Sequence, residues 1–506
     1  MRHHFLIGTG SLIAVCMASA LQAQVDSVAL HFASTITKEA MMDHLRVIAS
    51  DAFLGRDTGK EGQKMAAAYL KERFQEAGIP PVEAADPNSI EEGYFQPFDV
   101  IERRSGTISI AHGADTFRYG KELFYFQEQL TETRSIEELT YVPANAKLDA
   151  ALLKGGIVLL DAGQFGDGLG ALGAVRTRVE QLQTAGVGTV LVGMEGLPQL
   201  IGHFHLSGSQ MRLADQEPRT SSNQGVQLIL LDRAVMDGLL GRNTMNKLGR
   251  RKKISSVPVS FDLWVQRSEQ RLTAENVLAF IEGTDKKDEV VILTAHYDHV
   301  GVKEGVVYNG ADDDGTGTVA MIGIANAFAQ AKAAGHGPRR SVLVMPVSGE
   351  EKGLLGSRYY SDHPVFPLEN TVADINIDMI GRRDSAHATS APYIYVIGSD
   401  RLSSALHVVN EHANEVYTQL VLDYTYNAED DPNRFYYRSD HYNFARKGVP
   451  SVFFFSGVHE DYHQPGDDVE KIDPDLLHQR TLLAFHVAWI LANQDERIQV
   501  DKPLKP

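Results

Sequence analysis

Five short stretches in the second half of the chain place ionisable side chains at, or just beyond, the end of an apolar run. They are "AHYDH" (295–299), "NGADDDGTG" (309–317), "SGEEKGLLGS" (348–357), "NIDMIG" (376–381) and "EDYHQPGDD" (460–468). Taken singly, most have an ordinary structural explanation. A His-x-Asp is a common polar strand end. "ADDDG" ahead of a helix is a natural cap, because carboxylates favour the positive helix end. "GEEKG" is an ordinary surface acidic pair. Asp378 is harder to dismiss, since an aspartate inside the apolar "INIDM" needs a partner or a metal. His463 lies in a Gly/Pro loop that makes no structural demand for an imidazole.

Together the five stretches describe one chemistry. Histidines and several carboxylates at the same edge of a sheet are what a hard-to-borderline divalent cation requires. Without a cation, Asp298, Asp312, Asp313, Asp314, Glu350, Glu351 and Asp378 would repel one another, and a metal charge holds them ionised. One ion commonly uses three protein ligands, so the surplus points to two ions sharing a carboxylate. Such a pair clamps a nucleophilic water and polarises a carbonyl or phosphoryl oxygen.

The elements that must position these groups follow from hydrophobic periodicity. "VVILTAHYDHVG" (290–301) is a buried strand that stops abruptly at His296, Asp298 and His299. From about 272 onward, strands ("EVVILTAH", "SVLVMPVS", "TVADINIDM", "PYIYVIG", "PSVFFFSG") alternate with helices over 316–334, 402–416 and 475–493. That order predicts an α/β fold, a mixed and mostly parallel sheet flanked by helices, and such sheets bind ligands at the carboxyl ends of their strands. Residues 36–78 read as helical, with Thr37 as a cap and Met65, Tyr69, Leu70 and Phe74 near one face. Residues 105–258 change character to a compact β-rich insert, and "NTMNKLGRRKKISSVPVS" is a solvated exit from it. The expected division is therefore 24–104 and 259–506 for one unit, interrupted by 105–258.

The order, spacing and context of the five stretches resemble the family M28 zinc aminopeptidases, co-catalytic dizinc exopeptidases, over roughly 36–105 and 260–495. The resemblance implies the zinc-exopeptidase fold, two Zn2+ per chain and release of N-terminal residues from peptides. Carried over residue by residue, it makes Asp313 the bridging ligand. His296 and Asp378 complete one zinc site, and Glu351 and His463 the other. It implies Glu350 as the general base that activates a metal-bridged hydroxide, and Asp298 as the carboxylate that orients His296. "YRSDHYNFARKGVPSVFFF" (437–455) matches the family near the substrate pocket, which places Asp440 and His441 close to the site; a capped turn before a buried strand explains the same residues equally well. "KGGIVLLDAG" and "VEQLQTAGVGTVLVG" within the insert resemble a protease-associated (PA) domain, which would shade the entrance and restrict substrates to short peptides or chain ends.

Composition narrows the alternatives. A chain of 506 residues, 43% hydrophobic and 23% charged, suits two or three well-cored units. Its formal charge of −18 argues against nucleic-acid binding. "MRHHFLIGTGSLIAVCMASALQAQ" has the positive start, short apolar core and small-residue cleavage choices of a secretory signal over 1–23, implying a secreted or periplasmic protein. Cys16 in "IAVC" faintly resembles a lipobox, but Val15 is bulky for it. Cys16 is the only cysteine, so metal ligands must be His and carboxylates. No later stretch is long and apolar enough to span a membrane. "GLGALG" (168–173) matches a dinucleotide fingerprint, yet "DAGQFGD" separates it from its strand, so a glycine-rich loop is the better reading. His203 and His205 lack a third partner and read as a surface pair. On the same fold, carboxypeptidase or dipeptidase action and glutaminyl cyclisation are the competing reactions, and Arg382, Arg383, Arg434 and Arg438 are candidate carboxylate clamps for the first. A ligand-binding protein without activity and a metallophosphatase are the rivals from other classes; the intact ligand set opposes the one and the Glu-Glu pair the other.

Overall fold

The structure is a computed structural model that describes residues 25–83, 86–104, 109–118, 122–125, 132–166, 170–198, 209–216, 226–241, 243–265 and 268–503. The expected signal peptide, Cys16, Gly168, His203 and His205 lie outside the described residues.

The main unit is built on a seven-stranded sheet. In spatial order its strands are Ala279–Ile281, Arg340–Val347, Lys286–His296, Thr371–Ile377, Ser451–Phe455, Tyr393–Ile397 and Val421–Asp423. The central strands Arg340–Val347, Lys286–His296, Thr371–Ile377 and Ser451–Phe455 run parallel, and Tyr393–Ile397 is antiparallel to its neighbour Ser451–Phe455. Strands covered on both faces need apolar side chains on both, and 340–347, 371–377 and 451–455 are buried at every position. Helices Gly317–Ala333 and Pro474–Asn493 cover one face, where Phe328 packs on Phe485 and Trp489 at ring separations of 5.4 and 5.5 Å. Leu355–Asp362 and His441–Ala445 cover the other, with Tyr360 against Phe444. Each such ring removed from water contributes roughly 1.5–3 kcal/mol.

The segment 36–78 forms two helices. The Thr37 hydroxyl accepts from the Ala40 N–H and starts Lys38–Ile48; a tight turn, Asp51–Arg56, separates it from Glu61–Glu76. Gly55, at φ 62°, lets that turn press onto the loop beside the strand end. A Cβ there would lie 2.5 Å from the carbonyl oxygens of Gly301 and Tyr308. Leu70 and Phe74 are buried together with Ala66 and Ala67, but Met65 is 38% exposed. The pairs 65/69 and 70/74 each follow the i, i+4 rule, yet the two stripes stand about 140° apart at 100° per residue. The small alanines, not Met65, make the contact.

The insert forms an eight-stranded sheet in which Glu132–Tyr141, Ile157–Asp161, Thr189–Met194 and Gln227–Asp232 are parallel neighbours, and the helix Gly170–Thr184 lies between two of them in the chain. Ser255–Val265 pairs with Glu132–Tyr141 in this sheet. The next strand, Ser268–Val277, pairs with Phe95–Arg104 along its whole length and leads back to the main unit. We therefore propose that the insert ends between 265 and 268 rather than at 258. A stack of Phe98 on Tyr359 and a 2.8 Å contact between His363 and Asp215 tie this stalk to the main unit. Among the described residues no helix is long and apolar enough to cross a membrane.

Candidate metal centre

The five stretches converge at the carboxyl ends of the four parallel strands. His296 is the last residue of its strand, Asp378 follows Thr371–Ile377, and Glu350 and Glu351 turn away beyond Arg340–Val347. His463 lies in the loop beyond Ser451–Phe455, and Asp313 sits in the turn Ala311–Thr316 that opens the helix Gly317–Ala333.

Local hydrogen bonding explains which aspartate of "ADDDG" faces the centre. Asp312 Oδ1 accepts from the Gly381 N–H at 2.6 Å and the Thr316 hydroxyl at 3.0 Å. Asp314 Oδ1 accepts from the N–H groups of Gly317 and Met379 at 2.8 and 3.0 Å. Both flanking carboxylates are occupied in holding loops together, and the middle one is left for chemistry. The Asp467 carboxylate accepts from the N–H groups of Asp312 and Asp313, at 3.1 and 3.0 Å, and fixes the turn from below.

Two donor sets share Asp313: His296 with Asp378, and His299 with Glu351, each with its ligating atoms within 4.8 Å of one another. His296 Nε2 is 3.2 Å from Asp313 Oδ1 and 3.6 Å from Asp378 Oδ1. His463 Nε2 is 3.1 Å from both Asp313 Oδ2 and Glu351 Oε2. The two oxygens of Asp313 thus face two different imidazoles. Asp378 Oδ2 accepts from the Ser439 hydroxyl at 2.7 Å, which leaves Oδ1 for the centre.

These residues fit zinc. Asp313 Oδ2 and Glu351 Oε1 are buried and accept no hydrogen bond. Among the described residues no lysine or arginine makes an ion pair with Asp313, Glu351 or Asp378. A buried carboxylate cluster whose nearest positive groups are imidazoles is a cation site by composition, and the mixed N/O donors suit zinc.

The electrostatics agree. Burial pushes His463 down, but Glu351 and Asp313 outweigh it and raise its imidazole to about 11. Burial alone would raise Glu351; His463 and His299 bring it below the usual carboxylate range. Glu350 is held well above that range, first by burial and then by the neighbouring carboxylates Asp378 and Glu351, with His296 opposing. Burial raises Asp298 to about 6.

Asp298 acts differently from the expectation. The hydrogen bond on His296 Nδ1 is made by the main-chain carbonyl of Asp298, at 3.0 Å, while its carboxylate stands 3.8 Å away. That carboxylate accepts from the Thr58 hydroxyl at 2.6 Å and from the Glu350 N–H at 3.3 Å. Asp298 therefore orients His296 through its backbone and anchors Glu350 through its side chain.

A cavity opens on the centre. Asp313, Glu350 and Asp378 form one wall, and Met379, Phe435, Phe453, Phe455 and Tyr462 form an apolar wall facing them, with Arg438 and Val458 completing the lining. Asp440 and His441 do not line it. Both are fully buried behind it: Asp440 accepts from the Ser357 hydroxyl, and His441 stacks at 4.9 Å on Phe453. His441 supports the apolar wall rather than contacting its contents.

Sequence reasoning assigned no role to His299, Ser439, Thr58, Asp467 or Arg56. His299, Asp467 and Ser439 each lie inside a motif stretch, whereas Thr58 and Arg56 lie outside all of them. Arg56 is fully buried and donates to the carbonyls of Ile48, Tyr297, Asn309 and Gly310, binding the His296 and Asp313 loops to each other.

A mixed α/β sheet in this strand order, with two adjoining His/carboxylate sets at its carboxyl edge, defines a protein of the zinc-exopeptidase fold. Residues 276–488 match the family model of Peptidase family M28. It is 32% identical over 204 residues to probable leucine aminopeptidase 2 of Aspergillus oryzae, covering 40% of this chain and 37% of that protein. It is 28% identical over 236 residues to a probable leucine aminopeptidase of Arthroderma otae, covering 45% and 60%. The matches thus span between about a third and three fifths of these relatives. Among solved structures, an aminopeptidase from Aneurinibacillus sp. strain AM-1 superposes over 94% of this chain and 100% of its own, with a TM-score of 0.60 and 18% identity. A zinc aminopeptidase from Bacillus subtilis, BSAP, covers 93% and 99% with a TM-score of 0.53 and 17% identity.

Proposed function

We propose that the protein is a secreted or periplasmic dizinc aminopeptidase that removes the N-terminal residue from peptides. One observation carries this: the two oxygens of Asp313 face two separate donor sets. His296, Asp313 and Asp378 would hold one ion; Asp313, Glu351 and His463 would hold the other. When bound, zinc supplies Lewis-acid polarisation of the scissile carbonyl and lowers the pKa of water.

The chain's own groups do the rest. Glu350 lines the cavity and is anchored at its N–H by Asp298, so its carboxylate is placed to take the proton of the attacking water and return it to the leaving amine. The wall of Met379, Phe435, Phe453 and Phe455 receives an apolar side chain and orients the scissile bond. The insert, PA-like in this reading, shades the entrance and limits substrates to short peptides or chain ends.

A second reading has one observation in its favour. Of the four candidate arginines, Arg382 is paired with Asp461 at 2.7 Å, Arg383 is bonded to the carbonyls of His387 and Ser390, and Arg434 lies over Tyr437. Arg438 alone lines the cavity, where it could receive the carboxylate of a dipeptide or carboxyl terminus. The test is metal counting joined to substrate choice. The aminopeptidase reading expects two zinc ions, chelator-sensitive hydrolysis of leucine anilide and no action on the N-acetylated analogue. Release of the carboxyl-terminal residue from blocked dipeptides, abolished by Arg438→Ala, would replace it. One zinc ion with cyclisation of glutaminyl peptides would replace both.

A further inference from the structure

The five-residue ligand set leaves one imidazole of the centre without a task. His299 is fully buried, and its ring is closed in on one side by Gly310, where a Cβ would come within 2.4 Å of the ring. Neither Nδ1 nor Nε2 has a hydrogen-bond partner. Nδ1 lies 2.9 Å from Glu351 Oε1 and 3.8 Å from Asp313 Oδ2. Those two oxygens are the same ones that are buried and accept no hydrogen bond. The main-chain N–H of His299 donates to the Arg56 carbonyl at 3.2 Å, so the ring is carried on a fixed backbone.

Buried imidazoles ordinarily satisfy at least one nitrogen, because leaving both unpartnered is costly. Three orphaned donor atoms converging within a few ångströms, one imidazole nitrogen and two carboxylate oxygens, form a divalent-cation donor set. We infer that His299 is a further protein ligand of the ion held by Asp313 and Glu351, entering through Nδ1 from the buried side. His463 meets the other oxygen of Glu351 from the more open side, with 23% of its side chain exposed. This inference rests on the two-ion reading. It makes the two positions unequal: one has Asp313, Glu351, His299 and His463, the other Asp313, Asp378 and His296. The richer position holds its ion more tightly, and with two imidazoles it favours zinc over harder cations.

The experiment titrates the metal-stripped full chain with zinc against a competing chelator, for the wild type, His299→Ala and His299→Gln. The expected result is two zinc ions in the wild type, and in both variants at least about tenfold weaker binding of one ion with the other unchanged, a metal-site effect of the size that lost ligand support produces. Cobalt-loaded variants should also lose part of the wild-type visible absorption. Two ions held with wild-type affinity and an unchanged cobalt spectrum overturn the role of His299 alone. A single ion in the wild type overturns the two-ion reading as well. Should neither variant fold when stripped of metal, zinc-edge X-ray absorption on the wild type decides: three imidazoles per ion pair support the inference, and two overturn it.

Discussion

The insert and the main unit both place aspartates at the carboxyl edge of their parallel strands, and they use them in opposite ways. Asp161 closes Ile157–Asp161; it accepts from Arg233 at 3.1 Å and from the Gly163 N–H at 3.2 Å, and the arginine's charge is spent there. Asp313 and Asp378, at the edge of the other sheet, face imidazoles and, for Asp378, the Ser439 hydroxyl, with no arginine or lysine paired to either among the described residues. A strand-end carboxylate with a guanidinium partner is complete as structure. One whose neighbours are neutral-capable bases and further carboxylates is complete only with a cation. The presence of arginine, more than the aspartate itself, separates the two regions.

The sharpest break in that comparison is Asp313→Ala. It should remove zinc and bring peptide hydrolysis to background, as read by metal analysis alongside leucine-anilide turnover; retention of both ions would mean that Asp313 does not bridge. Glu350→Gln should next lower kcat by about 10²- to 10⁴-fold, the span of a lost general base, while metal content stays at the wild-type value. Zinc uptake by the metal-free chain at pH 7 should release protons, because His463 and His296 are both held protonated there by the surrounding carboxylates and must be neutral to bind. Calorimetry in buffers of different ionisation enthalpy counts them. By linkage, an imidazole raised on folding stabilises the metal-free form fully below its unfolded pKa of about 6.5. For His463 that contribution is lost as the pH climbs towards about 11, so the metal-free protein should weaken on alkalinisation. Zinc-loaded protein should not show that trend. The smallest effect belongs to the insert: Asp161→Ala should cost about 1–3 kcal/mol in chemical denaturation, by removing the charged partner of Arg233, and leave the zinc titration unchanged.

The alternation of strands and helices after 272 was enough to place the five stretches at one sheet edge, since parallel pairing sends every strand's carboxyl end the same way. Choosing Asp313 from three consecutive aspartates was not possible from spacing alone and came from family resemblance. In the structure the reason is physical, because Gly381, Thr316, Gly317 and Met379 consume the other two. What stayed hidden was of two kinds. Asp467 and Arg56 act on backbone groups more than 150 residues away, and no local pattern records such a contact. Asp298 and His441 were noticed, but the direction of a side chain depends on packing: the Asp298 carboxylate turns to Thr58 and Glu350, and the His441 ring turns behind Phe453. Met65 shows the same limit in a helix: it reads as sharing one face with Tyr69, Leu70 and Phe74, and the neighbouring Ala66 and Ala67 take the buried place instead.

Arg56 reaches carbonyls at 297, 309 and 310, and the turn it braces is held from the other side by Asp467. The centre therefore depends on parts of the chain separated by some four hundred residues, with the whole insert synthesised between them. During translation the imidazole of His296 emerges long before that of His463, and the carboxylate that fixes Asp313 emerges later still. A chain interrupted anywhere before Asp467 therefore lacks the carboxylate that fixes the Asp313 turn, however complete its sheet.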